Sequence, residues 1–473
     1  MEFLSISFLV LFSVSFLIYC LVGKRFRNSL LLLASFVFIG WLYPPFLITA
    51  VAVALFTFFW AQLLERKPTQ LVYVSGIALL VFSWIALHYT GIVADAVHLF
   101  APAVSKESVM HSLVFPLGMS FYTFQAIGYL TDVYWQDEKA ERNFPAFMLY
   151  MLFFMKFLSG PIERPGHLLH QLKNPEAFNY QNAVLGMKFI LLGLMKKLLI
   201  ANHIAPHLDI MFNTVDDLSG LQLLMTCLLY PIQLYADFSG YTDIAIGGAK
   251  MFGIDLSPNF NRPFIAKSTA DLWRRWHMSL SFWIRDYLYV PITAATRSWG
   301  RWGLYFSLLS TFFLLGLWHG LGITFAIYGL IQGIIICLET RITFFRTYLP
   351  KWFGRKVADI LFIVRTYLLF AVSLLFFRAN SLHDACRFLT GMSLRVHESW
   401  KEMNIGIGDH SCIVAGSALL LLLIFEHYND RYDLMHKMDE KSPWLRWTVY
   451  YLLVFALFTL GKFDYDNFIY AQF

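Results

Sequence analysis

The residues best suited to chemistry in this chain are two histidines in unusual surroundings. His319 falls near the middle of a run from Trp302 to Leu338 that holds no Asp, Glu, Lys or Arg. An ionisable ring in so apolar a stretch must be repaid by a partner, a cavity or a reaction, so it marks a functional site by default. Gly316, Gly320 and Gly322 flank it; they allow a close backbone approach or a break, which suits a turn or a cavity wall. The alternative is a neutral histidine that hydrogen-bonds across two helices. His277 lies in the densest polar stretch, NFNRPFIAKSTADLWRRWHMSLSFWIRDY, residues 259–287. Arg274 and Arg275 there are suited to holding a phosphorylated cytosolic substrate while His277 faces a reaction centre. The plainer reading is an amphipathic anchor whose arginines meet lipid phosphates, with His277 incidental.

Neither histidine has the neighbours that other chemistries need. The sequence holds no H-E-x-x-H zinc signature, no G-x-S-x-G nucleophile elbow and no G-x-x-x-x-G-K-S/T phosphate loop. Direct general-base catalysis is left, for which an imidazole with an unperturbed pKa near 6.5 is suited at neutral pH.

The elements that position these groups are membrane helices. Hydrophobic residues make up 58% of the 473 and charged residues 14%, against roughly 45–50% and about 25% in soluble domains. The mean hydropathy is +0.57, and about ten to thirteen crossings would use the whole chain, leaving no sizeable soluble domain. The net charge of +6 is modest and does not suggest a nucleic-acid binder. The five cysteines show no C-x-x-C spacing and read as buried packing residues. Phe3 to Val22 reads as a first crossing, with Lys24 and Arg25 marking its cytoplasmic end. The run from Leu30 to Leu64 is a helical hairpin broken at Pro44 and Pro45. Pro116 to Gly118, Gly160 with Pro161, and Tyr230 with Pro231 predict breaks at membrane depth, tolerated where backbone is buried in protein or lines a wet cavity.

Within residues 259–287, Ser268 and Asp271 have capping-box-like spacing, and Trp273, Trp276, Leu280, Trp283 and Tyr287 recur at helical intervals. The pattern predicts one interfacial helix with a tryptophan stripe on one face and Arg274, Arg275, Ser281 and Arg285 on the other. Lys156 and Lys188 read as snorkelling, and Asp237 as paired with a nearby base. The aromatic tail from Phe468 to Phe473 would be poorly soluble if left free, so it needs a place to bury itself.

Five stretches, in order FFMKFLSGPIERPGHLLHQL, DFSGYTDIAIGGAKMFGI, NFNRPF, LWRRWHMSLSFWIRDYLY and GLWHG, resemble the bacterial branch of the membrane-bound O-acyltransferase family. That branch includes members that serve alginate O-acetylation and D-alanyl transfer to lipoteichoic acid. The resemblance covers most of the chain. It implies an all-α polytopic membrane protein of the bacterial cytoplasmic membrane. Residues 1–473 would form one integral membrane domain of about eleven or twelve transmembrane helices, with re-entrant pieces around a central tunnel. A C-terminal helix and aromatic tail would occupy residues 445–473. His319 corresponds to the family's essential buried histidine, and His277 to a second histidine near the cytosolic entrance. FIYAQF resembles an aromatic C-terminal motif whose tyrosine, here Tyr470, carries the acyl group onward.

The expected activity is transfer of an acyl group, most simply acetyl, from a cytosolic thioester to an extracytoplasmic polysaccharide or cell-wall glycan. Acetyl-CoA or an acyl carrier thioester would be the donor substrate, held by Arg274 and Arg275 with Trp273 and Trp276. No tightly bound cofactor, metal or nucleic acid is expected. A partner O-acetyltransferase outside the membrane would receive the group, and lipids surround the protein. The alternatives are D-alanyl transfer to a teichoic-acid-like polymer or, from another class, a transporter or flippase of a glycan or lipid intermediate.

Overall fold

A computed structural model describes residues 3–100, 105–106, 115–158, 160–176, 178–320, 322–394 and 406–465. It is an all-α polytopic membrane protein. Eight helices among the described residues are long and apolar enough to cross a bilayer. Their outer faces carry large apolar side chains, such as Tyr451, Phe455 and Phe458 on the Pro443–Leu460 helix, as a hydrocarbon environment requires. The backbone divides into two compact units, Met1–Ile190 with Ile244–Ser257, and Leu191–Asp243 with Pro258–Phe473.

The first unit is built on the helices Ile6–Leu21, Lys24–Leu42, Pro44–Arg66, Gln70–His88 and Met119–Trp135. The hairpin break expected at Pro44 is present, and both prolines lie in the first turn of the following helix, where a missing N–H costs nothing. Gly118, at φ +79°, starts the Met119 helix, and a Cβ there would come within 2.5 Å of the Phe157 carbonyl. Residues 153–158 and 160–162 are non-helical and buried, in line with the break read at Gly160 and Pro161. Their polar groups find partners inside the protein. The Phe154 N–H donates to Ser35 Oγ over 3.1 Å, and Tyr150 donates to the Glu163 carbonyl over 3.0 Å. Lys156 does not snorkel as the sequence suggested. It is buried and donates to Gln125 Oε1 over 2.6 Å, because this irregular segment folds its stem inward.

The second unit holds both histidines. Arg301–His319 and Ile323–Arg341 form a close hairpin. A Cβ on Gly316 would lie 2.2 Å from the Phe325 carbonyl oxygen, and one on Gly329 would lie 2.1 Å from that of Phe312. Small residues thus let the two backbones touch. Arg355–Arg378, Asp409–Tyr432 and Pro443–Leu460 complete the long apolar helices of this unit.

Two expectations are corrected. Pro231 does not break the chain; it lies inside the continuous helix Gly220–Met251. Only Cys227 is a buried cysteine, whereas Cys337 is half-buried and Cys20, Cys386 and Cys412 are exposed. Exposure follows from the helix faces, since an apolar outer face accepts a thiol as readily as a core does.

Candidate active site

Residues 259–287 do not form the single amphipathic helix that their periodicity suggests. Ser268 caps a short helix, Thr269–Trp273, by accepting from the Asp271 N–H over 3.1 Å, as its spacing predicts. The chain then leaves helical geometry and restarts at Met278–Ile284. The break is His277, at φ 43° and ψ 54°, in the left-handed region. Its cause is an extended segment alongside. The Asn261 N–H donates to the Arg275 carbonyl and the Met278 N–H donates to the Asn259 carbonyl, both over 2.9 Å. These bonds supply the partners that helix continuation would have supplied.

The tryptophans face protein rather than lipid. Trp273, Trp276 and Trp283 are buried. Trp276 packs edge-on against Phe260 and Phe370, with ring centroids 5.2 and 5.1 Å away. Trp273 Nε1 donates to Gln332 Oε1 over 3.1 Å, and Gln332 Nε2 donates to Ser373 Oγ over 2.6 Å. Helical periodicity recorded the buried face correctly and misread what covers it. Arg274 is exposed. Arg275 is half-buried and braces the turn, with its Nε 3.1 Å from Asp271 Oδ1.

His277 is 1% exposed and His319 6%. The His277 Nδ1 lies 3.1 Å from Asn259 Oδ1, and its ring meets Phe238 edge-on at 4.8 Å. His319 is the last residue of its helix and precedes the extended Gly320, the turn that its flanking glycines predicted. Its ring packs on Trp318 at 4.6 Å and on Phe377 at 5.0 Å. Phe377 also lines a cavity of about 290 Å³, together with Gly322, Asp209, Arg378 and Tyr465. His277 and His319 are thus two buried imidazoles of the second unit, and the His319 ring packs on a residue of the cavity wall. Such a pair can take a proton from a hydroxyl and return it elsewhere in the same reaction.

Asp237 is paired as expected, with Lys197 Nζ at 2.5 Å. The sequence reading passed over Lys196, Lys197 and Glu426, which complete a buried charge network. Lys196 Nζ lies 2.8 Å from Asp243 Oδ2 and 3.6 Å from Glu426 Oε1, and Tyr235 donates to Glu426 over 2.5 Å. Two adjacent lysines inside the apolar stretch from Ala183 to Ile204 were the available signal. Tyr470 lies outside the described residues. The tail leading to it is fastened up to Tyr465. His203 Nε2 donates to the Leu460 carbonyl over 2.8 Å, and the Lys462 N–H donates to the Leu198 carbonyl over 3.1 Å.

Comparison with known proteins gives the family. The model of the membrane-bound O-acyltransferase family matches residues 140–379, a stretch that includes both histidines. A probable alginate O-acetylase of Pseudomonas fluorescens is 34% identical, over 91% of this chain and 84% of that protein. The chain belongs to the membrane-bound O-acyltransferase family. A peptidoglycan O-acetyltransferase of Helicobacter pylori is 35% identical over 59% of this chain and 57% of its own. A teichoic acid D-alanyltransferase of Bacillus subtilis is 31% identical over 51% of this chain and 62% of its own. This membrane-bound O-acyltransferase is therefore a multi-pass membrane acyltransferase, and the transporter reading is set aside.

Proposed function

We propose that this acyltransferase takes acetyl from a cytosolic thioester, acetyl-CoA, and delivers it across the bacterial inner membrane for O-acetylation of an extracytoplasmic glycan. The observation that carries the reading is the burial of both His277 and His319, with the His319 ring packed on Phe377, which lines a polar cavity. His319 acts as general base on the acceptor hydroxyl, and His277 supports it. The hydroxyl oxygen forms a bond to the carbonyl carbon, the carbon–sulfur bond breaks, and the hydroxyl proton ends on the departing thiol. Arg274, exposed beside this segment, and Arg275 offer charge to the donor phosphates, with Trp273 and Trp276 as the aromatic framework behind them.

Charge distribution supports the orientation. The loops near Arg301, Arg341, Arg355 and Lys356, and near Arg431, Lys437 and Lys441, are rich in cations, which favours the cytosol for that end of the helices. His319, Arg378 and Leu460 close the opposite ends of their helices, so the tail would leave on the outer side. Tyr470 then receives the acetyl group as a phenyl ester, a better leaving group than an alkyl ester, and a partner transferase passes it to the glycan.

The test is incubation of purified protein with radiolabelled acetyl-CoA, using wild type, His319→Ala and Tyr470→Phe, followed by peptide mapping. Label on Tyr470 that vanishes in both variants supports the relay. Label only from D-alanine on a carrier protein would favour the second reading, D-alanyl transfer, which the Bacillus subtilis likeness supports.

A further inference from the structure

The side chain of Asn259 receives three groups at a single atom. Its Oδ1 lies 3.1 Å from the Ser279 N–H nitrogen, 2.9 Å from Ser279 Oγ and 3.1 Å from His277 Nδ1. A backbone N–H is a donor in every state, so the atom facing Ser279 has to be the amide oxygen. The reversed amide would set NH₂ against N–H. With oxygen in that place, His277 Nδ1 can only donate. A neutral imidazole carries one ring proton, so Nε2 keeps its lone pair.

We propose that Asn259 is a positioning residue that holds His277 in the Nδ1–H tautomer and leaves Nε2 as the atom that exchanges protons in the reaction. The proposal rests on the reading of His277 as half of the catalytic pair and adds the group that orients it.

The local fold is built for this contact. Asn259 is 1% exposed, and its own carbonyl accepts the Met278 N–H over 2.9 Å, which fixes its backbone against the turn. The left-handed backbone of His277 brings its side chain and the N–H two residues later onto the same oxygen. The ring of Phe238 stands across the imidazole at 82° and opposes rotation. Among the groups around His277, His319 on the Arg301–His319 helix is titratable, whereas Phe238 on the Gly220–Met251 helix, Asn259 and Ser279 are neutral.

An amide orients an imidazole without stabilising its charged form as a carboxylate would. His277 is therefore a transient proton carrier. In the reaction its Nε2 takes up the proton released from the acceptor hydroxyl and then gives it to the sulfur of the departing thiolate. One proton is taken and one returned.

The experiment follows CoA release against pH for purified wild type, Asn259→Ala, Asn259→Asp, Ser279→Ala and His277→Ala, with thermal unfolding of each. Asn259→Ala is expected to lower kcat about tenfold or more, the worth of one orienting hydrogen bond at a buried site, with KM for acetyl-CoA unchanged. Asn259→Asp keeps the acceptor and recovers rate, and its carboxylate moves the acidic limb of the kcat profile to higher pH. Ser279→Ala leaves that limb in place. A wild-type kcat and profile in Asn259→Ala, alongside an inactive His277→Ala, overturns the proposal and leaves the catalytic pair standing. Full activity in His277→Ala overturns both. Should Asn259→Ala fail to fold, ¹⁵N NMR of histidine-labelled wild type decides: a protonated Nδ1 at His277 is expected, and a protonated Nε2 overturns the assignment.

Discussion

Tyr465 donates its phenol hydrogen to Asp209 Oδ2 over 2.5 Å, while Arg378 holds the other carboxylate oxygen over 2.7 Å. All three residues line a cavity together with Phe377, whose ring also packs on that of His319. The bond thus ties the chain, five residues before Tyr470, to the wall of the candidate active site. A hydrogen bond to a charged acceptor is worth about 1.5–3 kcal/mol, or roughly ten- to a hundredfold in the docked population. Tyr465→Phe and Asp209→Asn are both expected to speed proteolytic removal of the tail and to slow delivery of acetyl to an added acceptor. KM for acetyl-CoA should stay as in wild type. Unchanged cleavage in both variants would show that the phenol does not anchor the tail.

His319→Gln tests the base directly. Glutamine keeps a polar side chain in the buried position but cannot take up a proton at neutral pH. CoA release is expected to fall by about 10² to 10⁴, the usual contribution of a positioned base. The thermal midpoint should move less than the rate, because glutamine fills much of the space the ring occupies against Trp318 and Phe377. A variant that keeps its rate would remove His319 from the mechanism.

The buried pair of Lys197 and Asp237 makes a different prediction, about stability. Both side chains are almost fully enclosed, and removing one partner strands the other charge, which costs about 3–5 kcal/mol. Lys197→Met and Asp237→Leu should each lower the thermal midpoint in detergent sharply. The double variant should recover much of the loss, since no charge is then left unpaired. Additive losses would mean that the two residues act through other partners.

The sequence announced His319 because an isolated ionisable residue in an apolar run is visible without coordinates, and flanking glycines announced its turn. The break at Pro44 and the buried irregular segment near Gly160 were visible for the same reason: proline and glycine act locally. Residues 259–287 were misread because tryptophans at helical spacing look alike whether lipid or protein covers them. What ends the helix at His277 is pairing with Asn259 and Asn261, 18 and 16 residues upstream, and no local pattern reports it. The same holds for Asp209 and Tyr465, 256 residues apart. Glu426 lay hidden in an apolar helix because its partners, Lys196 and Tyr235, come from two other segments.

On the first unit, outside the apolar helices, His167 Nδ1 lies 2.7 Å from Glu163 Oε2. That hydrogen bond raises the His167 pKa above its ordinary value, against the opposing effect of partial burial. A histidine whose pKa is higher folded than unfolded stabilises fully below the unfolded value, near 6.5, and the contribution is lost as pH rises through the folded value. The side chain is 43% exposed, so solvent screening keeps the effect small. The thermal midpoint of wild type should decline as pH rises above about 6.5, and His167→Gln should flatten that part of the curve. An identical pH dependence in the two proteins would show that the pair carries no linkage.

The hairpin that carries His319 sets the last prediction. A methyl group on Gly316 would meet the Phe325 carbonyl at 2.2 Å and the Gly329 Cα at 3.2 Å, and these are backbone atoms that cannot rotate away. Gly316→Ala must therefore push the two helices apart, an overpacking cost of about 1–3 kcal/mol. Gly316 is three positions before His319, roughly one helical turn, so the displacement reaches the imidazole and its contact with Phe377. Both the thermal midpoint and CoA release are expected to fall. Gly416→Ala is the control: it lies inside the Asp409–Tyr432 helix with nothing within 4 Å of its added Cβ. There the better helix former should be neutral or stabilising by up to about 1 kcal/mol, with activity retained. Equal behaviour of the two alanine variants would mean that close approach of the hairpin backbones does not position His319.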